Sequence, residues 1–181
     1  MKILQTPLKD CYIIEPTVFV DDRGYFFEKY NEKKFEEFTG MNGHFVQDNI
    51  SESSYGVLRG IHLQKGEHAQ AKLVSCLEGK VWDVAVDLRE NSPTFGQWFG
   101  IELSAENKLQ LYIPRGFGHG FSVLSKTAVF SYKCDNFYHR ESEGSVKFND
   151  PDLGIDWKIA ENDAILSDKD QNAPSFKDRN F

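Results

Sequence analysis

The stretch RGIHLQKGEHAQAKL, residues 59–73, governs how this chain is read. Apolar and polar residues alternate on either side of Lys65-Gly66, the pattern of two short strands joined by a turn. The same stretch carries Arg59, His62, Gln64, His68 and Lys72, which raises the choice between a metal site, a phosphate site, an acid–base site and a decorated surface hairpin. On a regular pleat His62 shares a face with Leu58, Gly60 and Gln64, and Arg59 points the other way. Both side chains reach one pocket only if Gly60 bends or bulges the strand, which glycine permits.

Working outward, further strand patterns run over residues 56–64, 71–77, 81–88, 96–103, 109–113, 120–124 and 127–134. Turn chemistry separates them, including Glu78-Gly79-Lys80, Asn91-Ser92-Pro93 and Pro114-Arg115-Gly116. Residues 31–40 (NEKKFEEFTG) read as a helix, with an Asn N-cap, Phe35 and Phe38 on one face, and a terminal Gly. From about residue 149 the chain is turn-rich and less regular. The expectation is a mainly β protein, an antiparallel jelly-roll barrel of the cupin type with one or two short helices and an irregular C-terminal wrap.

The chain has 181 residues, enough for one domain over 1–181 and too few to expect two. A net charge of −7 argues against nucleic acid or an anionic membrane as partner, although a local Arg/Lys cluster would still suit a small anion. Cys11, Cys76 and Cys134 are odd in number and widely spaced, without a CxxC pair, as expected of a reduced cytoplasmic protein. The N-terminus lacks the apolar core of a signal peptide, and no apolar run is long enough to span a membrane.

Gly60-x-His62 and Pro114-x-Gly116-x-x-His119 begin like cupin metal motifs, but position 64 is Gln and His68 falls in the turn. Two convergent histidines make a poor metal site, so no metal is expected. No phosphate-binding glycine loop is present. Arg59 nevertheless lies inside an apolar strand, where a guanidinium needs an ion-pair partner or an anionic ligand. For acid–base chemistry His62, Tyr132 and Tyr138 are available, yet a strand His or a buried Tyr is commonly structural. Composition and spacing leave these readings open.

At RGIHLQ (59–64) the sequence resembles the nucleotide-sugar 3,5-epimerases of the dTDP-4-dehydrorhamnose 3,5-epimerase family. The likeness continues in order through DDRGYFFE (21–28), FVQDN (45–49), AKLV (71–74), DVAVDLR (83–89), SPTFG (92–96), PRGFGHGF (114–121), YKCDNFY (132–138), NDP (149–151) and LSDKD (166–170). It extends over nearly the whole chain, where RGxH alone would be a weak signal.

The resemblance implies a cofactor-free, metal-free jelly roll, a homodimer that exchanges an N-terminal strand. The implied substrate is a dTDP-4-keto-6-deoxyhexose inverted at carbons 3 and 5. It implies His62 as base, Tyr132 as proton donor, Lys72 as partner of the enolate oxygen and Asp170 as the carboxylate paired with His62. Substrate contacts are implied for Arg23, Glu28, Gln47, Asp48, Asn49, Arg59, Lys72, His119, Tyr138, Glu143 and Lys169, with Arg59 on the diphosphate and Tyr138 stacked on the base. Some of these serve the neighbouring subunit's site. One departure stands out: the residue after His62 is usually aromatic in the family and here is Leu63. Strand alternation turns Leu63 away from His62, which favours a reshaped outer face over a changed pocket wall. The rival readings are a single-carbon epimerase on a related nucleotide sugar, an inactive sugar-binding jelly roll, and a metal-dependent cupin.

Overall fold

A computed structural model of the chain describes residues 1–179. Asn180 and Phe181, the last two residues of the expected 1–181 domain, lie outside the described residues. The strands are β1 (Lys2–Gln5), β2 (Tyr12–Glu15), β3 (Val18–Asp21), β4 (Gly24–Phe27), β5 (Gln47–Ser54), β6 (Leu58–Gln64), β7 (Lys72–Glu78), β8 (Lys80–Asp87), β9 (Trp98–Ser104), β10 (Gln110–Ile113), β11 (Phe117–Val123), β12 (Thr127–Cys134) and β13 (Glu143–Ser145). Six form one sheet in the order β1-β2-β10-β7-β12-β5, and five form the facing sheet in the order β13-β6-β11-β8-β9. All strand pairs are antiparallel, and the fold is the cupin-like jelly roll expected from the strand spacing. The hairpin β3–β4 forms a two-stranded sheet of its own.

Alternation along the strands divides the side chains between two sides. Facing inward, Val74, Cys76, Val81, Leu103, Leu111, Val123, Ala128 and Phe130 fill the barrel. On the outer side of the five-stranded sheet, Leu58, Ile61, Leu63, Val84 and Val86 are covered by Val146, Phe148, Leu153 and Trp157 of the C-terminal segment. Leu63 therefore packs beneath the wrap, turned away from the barrel interior as the pleat required. The wrap includes a short helix, α2 (Asp168–Gln171), capped by Ser167.

The helix α1 (Glu32–Thr39) begins at Asn31, whose side chain accepts a hydrogen bond from Lys34 N, and stops at Gly40 in the left-handed conformation (φ 68°). Phe35 is buried against Tyr112 at a ring separation of 4.9 Å. Phe38, one turn further along, is exposed. A short helix on a barrel surface touches it along one narrow stripe, and a residue three positions on lies about 60° around the axis, off that stripe.

The bulge that a common pocket for Arg59 and His62 requires is present. In the β6–β11 ladder His119 stands opposite His62 and Phe121 opposite Arg59, so β6 uses one residue more than β11 over this interval. Gly60 occupies the extra position with φ 127°. A Cβ there would lie 2.5 Å from Gly120 Cα and 2.7 Å from His119 O, so the strands approach closely only because both positions are glycine.

Candidate active site

The inward faces of the strands turn from apolar to polar along the barrel. On β12 the sequence Ala128, Phe130, Tyr132 and Cys134 lies on one face, and on β7 Cys76 and Val74 are followed by Lys72. On β11 Val123 and Phe121 are followed by His119. The polar end opens into a cavity of ≈ 370 Å³ lined by Ser51, Arg59, His62, Lys72, His119 and Tyr132, with Phe121, Phe130 and Asp170 among the remaining walls. An adjoining outer lobe shares His62, Lys72 and Tyr132 and adds Gln47, Asn49, Tyr138, Glu143 and Lys169.

His62 is held by the C-terminal wrap. Its Nε2 lies 2.5 Å from Asp170 Oδ1, although the two residues are 108 positions apart. Asp170 is buried, and Ser167 Oγ donates to its other oxygen at 2.8 Å. Burial alone pushes this carboxyl up. The His62 hydrogen bond and charge, with further hydrogen bonds from Ser167 and the Gly60 backbone, outweigh burial and hold Asp170 below the usual carboxylate range.

Lys72 projects beneath the Tyr132 ring, with Nζ 6.0 Å from the ring centroid. Burial draws its ammonium pKa downward, against the attraction of Cys134 and Asp83. Burial also pushes the Tyr132 phenol up, reinforced by Cys134 and opposed by Arg59, so the phenol keeps its proton at neutral pH. His119 stands opposite His62, buried, with Nε2 2.8 Å from Asp83 Oδ2. Burial pulls its pKa down despite Asp83, which keeps the imidazole neutral. Asp83 Oδ1 is buried without a partner among the described residues.

The outer lobe is a connected polar rim. Lys169 donates to Glu143 Oε2 at 2.7 Å, and Tyr138 OH donates to Glu143 Oε1 at 3.2 Å. Burial raises the Glu143 carboxyl, but the Lys169 hydrogen bond and charge and the Tyr138 hydroxyl bring it below the usual range. Gln47 Oε1 accepts from the Tyr138 backbone, and Gln47 Nε2 donates to Asn49.

Three of the expected site residues stand elsewhere in this chain. Asp48 points to the opposite face of β5 from Gln47 and Asn49 and pairs with Lys133 at 2.7 Å. Arg23 sits at the turn of the β3–β4 hairpin, paired with Asp21, and Glu28 is engaged by Lys34 and Asn31. Conversely, Ser51, Ser53, Asp83 and Ser167 were not singled out in the sequence. They are common residue types without a spacing signature, and the site reaches them through tertiary contact. Among the described residues no group of three or more His, Cys, Asp or Glu side chains is placed to hold a metal ion. No described helix is long and apolar enough to cross a membrane.

A family model described as dTDP-4-dehydrorhamnose 3,5-epimerase matches residues 5–178. The dTDP-4-dehydrorhamnose 3,5-epimerase of Salmonella typhimurium is 55% identical over 174 residues, 96% of this chain and 94% of that protein. The crystal structure of the enzyme of that name from Elizabethkingia anophelis is 82% identical, covers 100% of this chain and 99% of its own, and superposes with a TM-score of 0.98. A dTDP-6-deoxy-D-glucose-3,5-epimerase from Legionella pneumophila, solved with dTDP-4-keto-L-rhamnose, is 51% identical over 97% of this chain and 93% of its own, with a TM-score of 0.93. With its fold and nearly its whole length in common with these proteins, the chain belongs to the dTDP-4-dehydrorhamnose 3,5-epimerase family.

Proposed function

We propose that the protein inverts carbons 3 and 5 of a dTDP-4-keto-6-deoxyhexose, converting dTDP-4-dehydro-6-deoxy-glucose to dTDP-4-dehydro-L-rhamnose in the cytoplasm. One domain over 1–181 carries the reaction without a cofactor. The observation that carries the proposal is the convergence of the His62–Asp170 pair, Lys72 and Tyr132 on one cavity, a set that a mere binding module has no use for.

The ketone at carbon 4 makes the hydrogens on carbons 3 and 5 acidic, provided that the enolate oxygen is stabilised as charge develops on it. Lys72 supplies that stabilisation as an ammonium on the cavity wall. With Nε2 held by Asp170, Nδ1 is the His62 nitrogen left to take the carbon-bound proton. The Asp170 carboxylate then stabilises the imidazolium that forms. Tyr132, whose phenol stays protonated, returns a proton to the opposite face and so completes an inversion. His119 contacts the keto sugar, Arg59 the diphosphate, and Tyr138 stacks on the base. Gln47, Asn49, Glu143 and Lys169 complete the binding surface of the outer lobe.

The same reading includes a homodimer in which the N-terminal hairpin crosses to the neighbouring subunit. Phe19, Val20, Tyr25 and Phe26 leave the hairpin exposed and apolar, with Arg23 at its turn and, among the described residues, no third strand beside it. Crossing would deliver Arg23 and Glu28 to the partner's cavity. Sedimentation equilibrium should give twice the chain mass at micromolar concentration, and a monomer mass would remove the exchange.

Proton NMR of dTDP-4-keto-6-deoxyglucose incubated with the protein in deuterated water tests the reaction. Deuterium should enter at both carbon 3 and carbon 5, with the ring couplings of the inverted sugar. Entry at one carbon would replace the proposal by a single-carbon epimerase, and no entry with the folded protein would remove this substrate.

A further inference from the structure

We propose that Ser53 is a positioning residue for the diphosphate: its hydroxyl fixes Arg59 in the orientation in which the guanidinium meets phosphate oxygens. The inference rests on the assignment of Arg59 to the diphosphate. It begins with β5, where Gln47, Asn49, Ser51 and Ser53 alternate toward the cavity side and Asp48, Ile50, Glu52 and Ser54 are exposed. Ser53 is the most buried residue of that strand.

The bulge at Gly60 swings Arg59 off the five-stranded sheet and across to this strand. There Arg59 Nε and Nη2 both donate to Ser53 Oγ, at 3.2 and 3.1 Å. These two donors form the lateral edge of the guanidinium, so the hydroxyl occupies that edge. The terminal edge, formed by Nη1 and the second Nη2 hydrogen, is left for a ligand. A guanidinium presenting one edge as a fork matches two phosphate oxygens in a way that a mobile side chain does not.

The partner's charge matters as much as its place. A carboxylate in this position would neutralise Arg59 and compete with the phosphates. A neutral hydroxyl orients the group while leaving its full positive charge for the ligand. Arg59 is then held before the ligand arrives, and less side-chain freedom is lost on binding.

Removing the hydroxyl should weaken recognition of the diphosphate and spare the chemistry. Ser53→Ala is expected to raise KM for the nucleotide sugar and Kd for dTDP about tenfold, with kcat within about twofold and the Kd of thymidine unchanged. Ser53→Thr, which keeps the hydroxyl, should restore dTDP affinity. Ser53→Cys, close in size but a poor acceptor, should behave like the alanine variant and guards against a packing defect in it. Calorimetric titration with dTDP and with thymidine, beside steady-state kinetics, reads all three. Wild-type dTDP affinity in both Ser53→Ala and Ser53→Cys, while Arg59→Ala loses it, would overturn the role of Ser53. Equal weakening of dTDP and thymidine would overturn it as well, since that is what a general distortion of the pocket produces. Wild-type dTDP affinity in Arg59→Ala would instead overturn the Arg59 assignment beneath it.

Discussion

His62→Ala should lower kcat for epimerisation by about a thousandfold or more, while dTDP binds within about twofold of the parent. The expectation follows from the position of His62 on the cavity wall, with one ring nitrogen committed to Asp170 and the other outside that pair. The substitution also takes away the partner of a buried carboxylate, so some loss of stability should accompany the loss of rate. His62→Asn separates the two effects. Its amide still donates to Asp170 and should recover much of the stability, but it has no basic nitrogen and should recover none of the rate. Turnover by His62→Asn near that of the parent would remove the histidine as base. Parallel loss and recovery of rate and stability would reduce His62 to a structural role.

Tyr132→Phe should uncouple deuterium exchange from inversion. A base on one face of the sugar removes a proton, exchanges it with solvent, and returns deuterium to the face it came from. Inversion needs a donor on the other face. With the hydroxyl gone and the ring retained, exchange should persist while inversion at the carbon served by Tyr132 falls about a hundredfold. The phenylalanine ring keeps its place above Lys72 and beside Phe130, so the fold should tolerate the change. Proton NMR in deuterated water records both quantities in one experiment. Equal loss of exchange and inversion would make Tyr132 part of enolate formation, and unchanged inversion would remove it as donor.

The strands found by pattern and those missed differ for a physical reason. β7, β8 and β12 have apolar inner faces, and their alternation is plain in the sequence. β5, QDNISESS, has a polar inner face because it lines the cavity rather than the core, so hydrophobic periodicity fades in the strand that carries Gln47, Asn49, Ser51 and Ser53. β3 and β4 escape notice for the opposite reason, because apolar residues stand on both of their faces and most of them are exposed.

The sequence by itself determined the strand-rich class, the helix with its Asn31 and Gly40 ends, and the condition that Gly60 break the pleat. These are local properties, written in propensity, capping and the hindrance of a missing or present Cβ. The resemblance of its motifs supplied the candidate residues. Tertiary structure alone decided which of them meet: the bulge turns Arg59 into the same cavity as His62, and the wrap brings Asp170 back across 108 positions to the imidazole. The Asp48 side chain is sent to the opposite face of β5, and Ser53 is given to Arg59. No local signal encodes such meetings, because they follow from how two sheets and a covering segment pack around one interior, and that is a property of the whole chain.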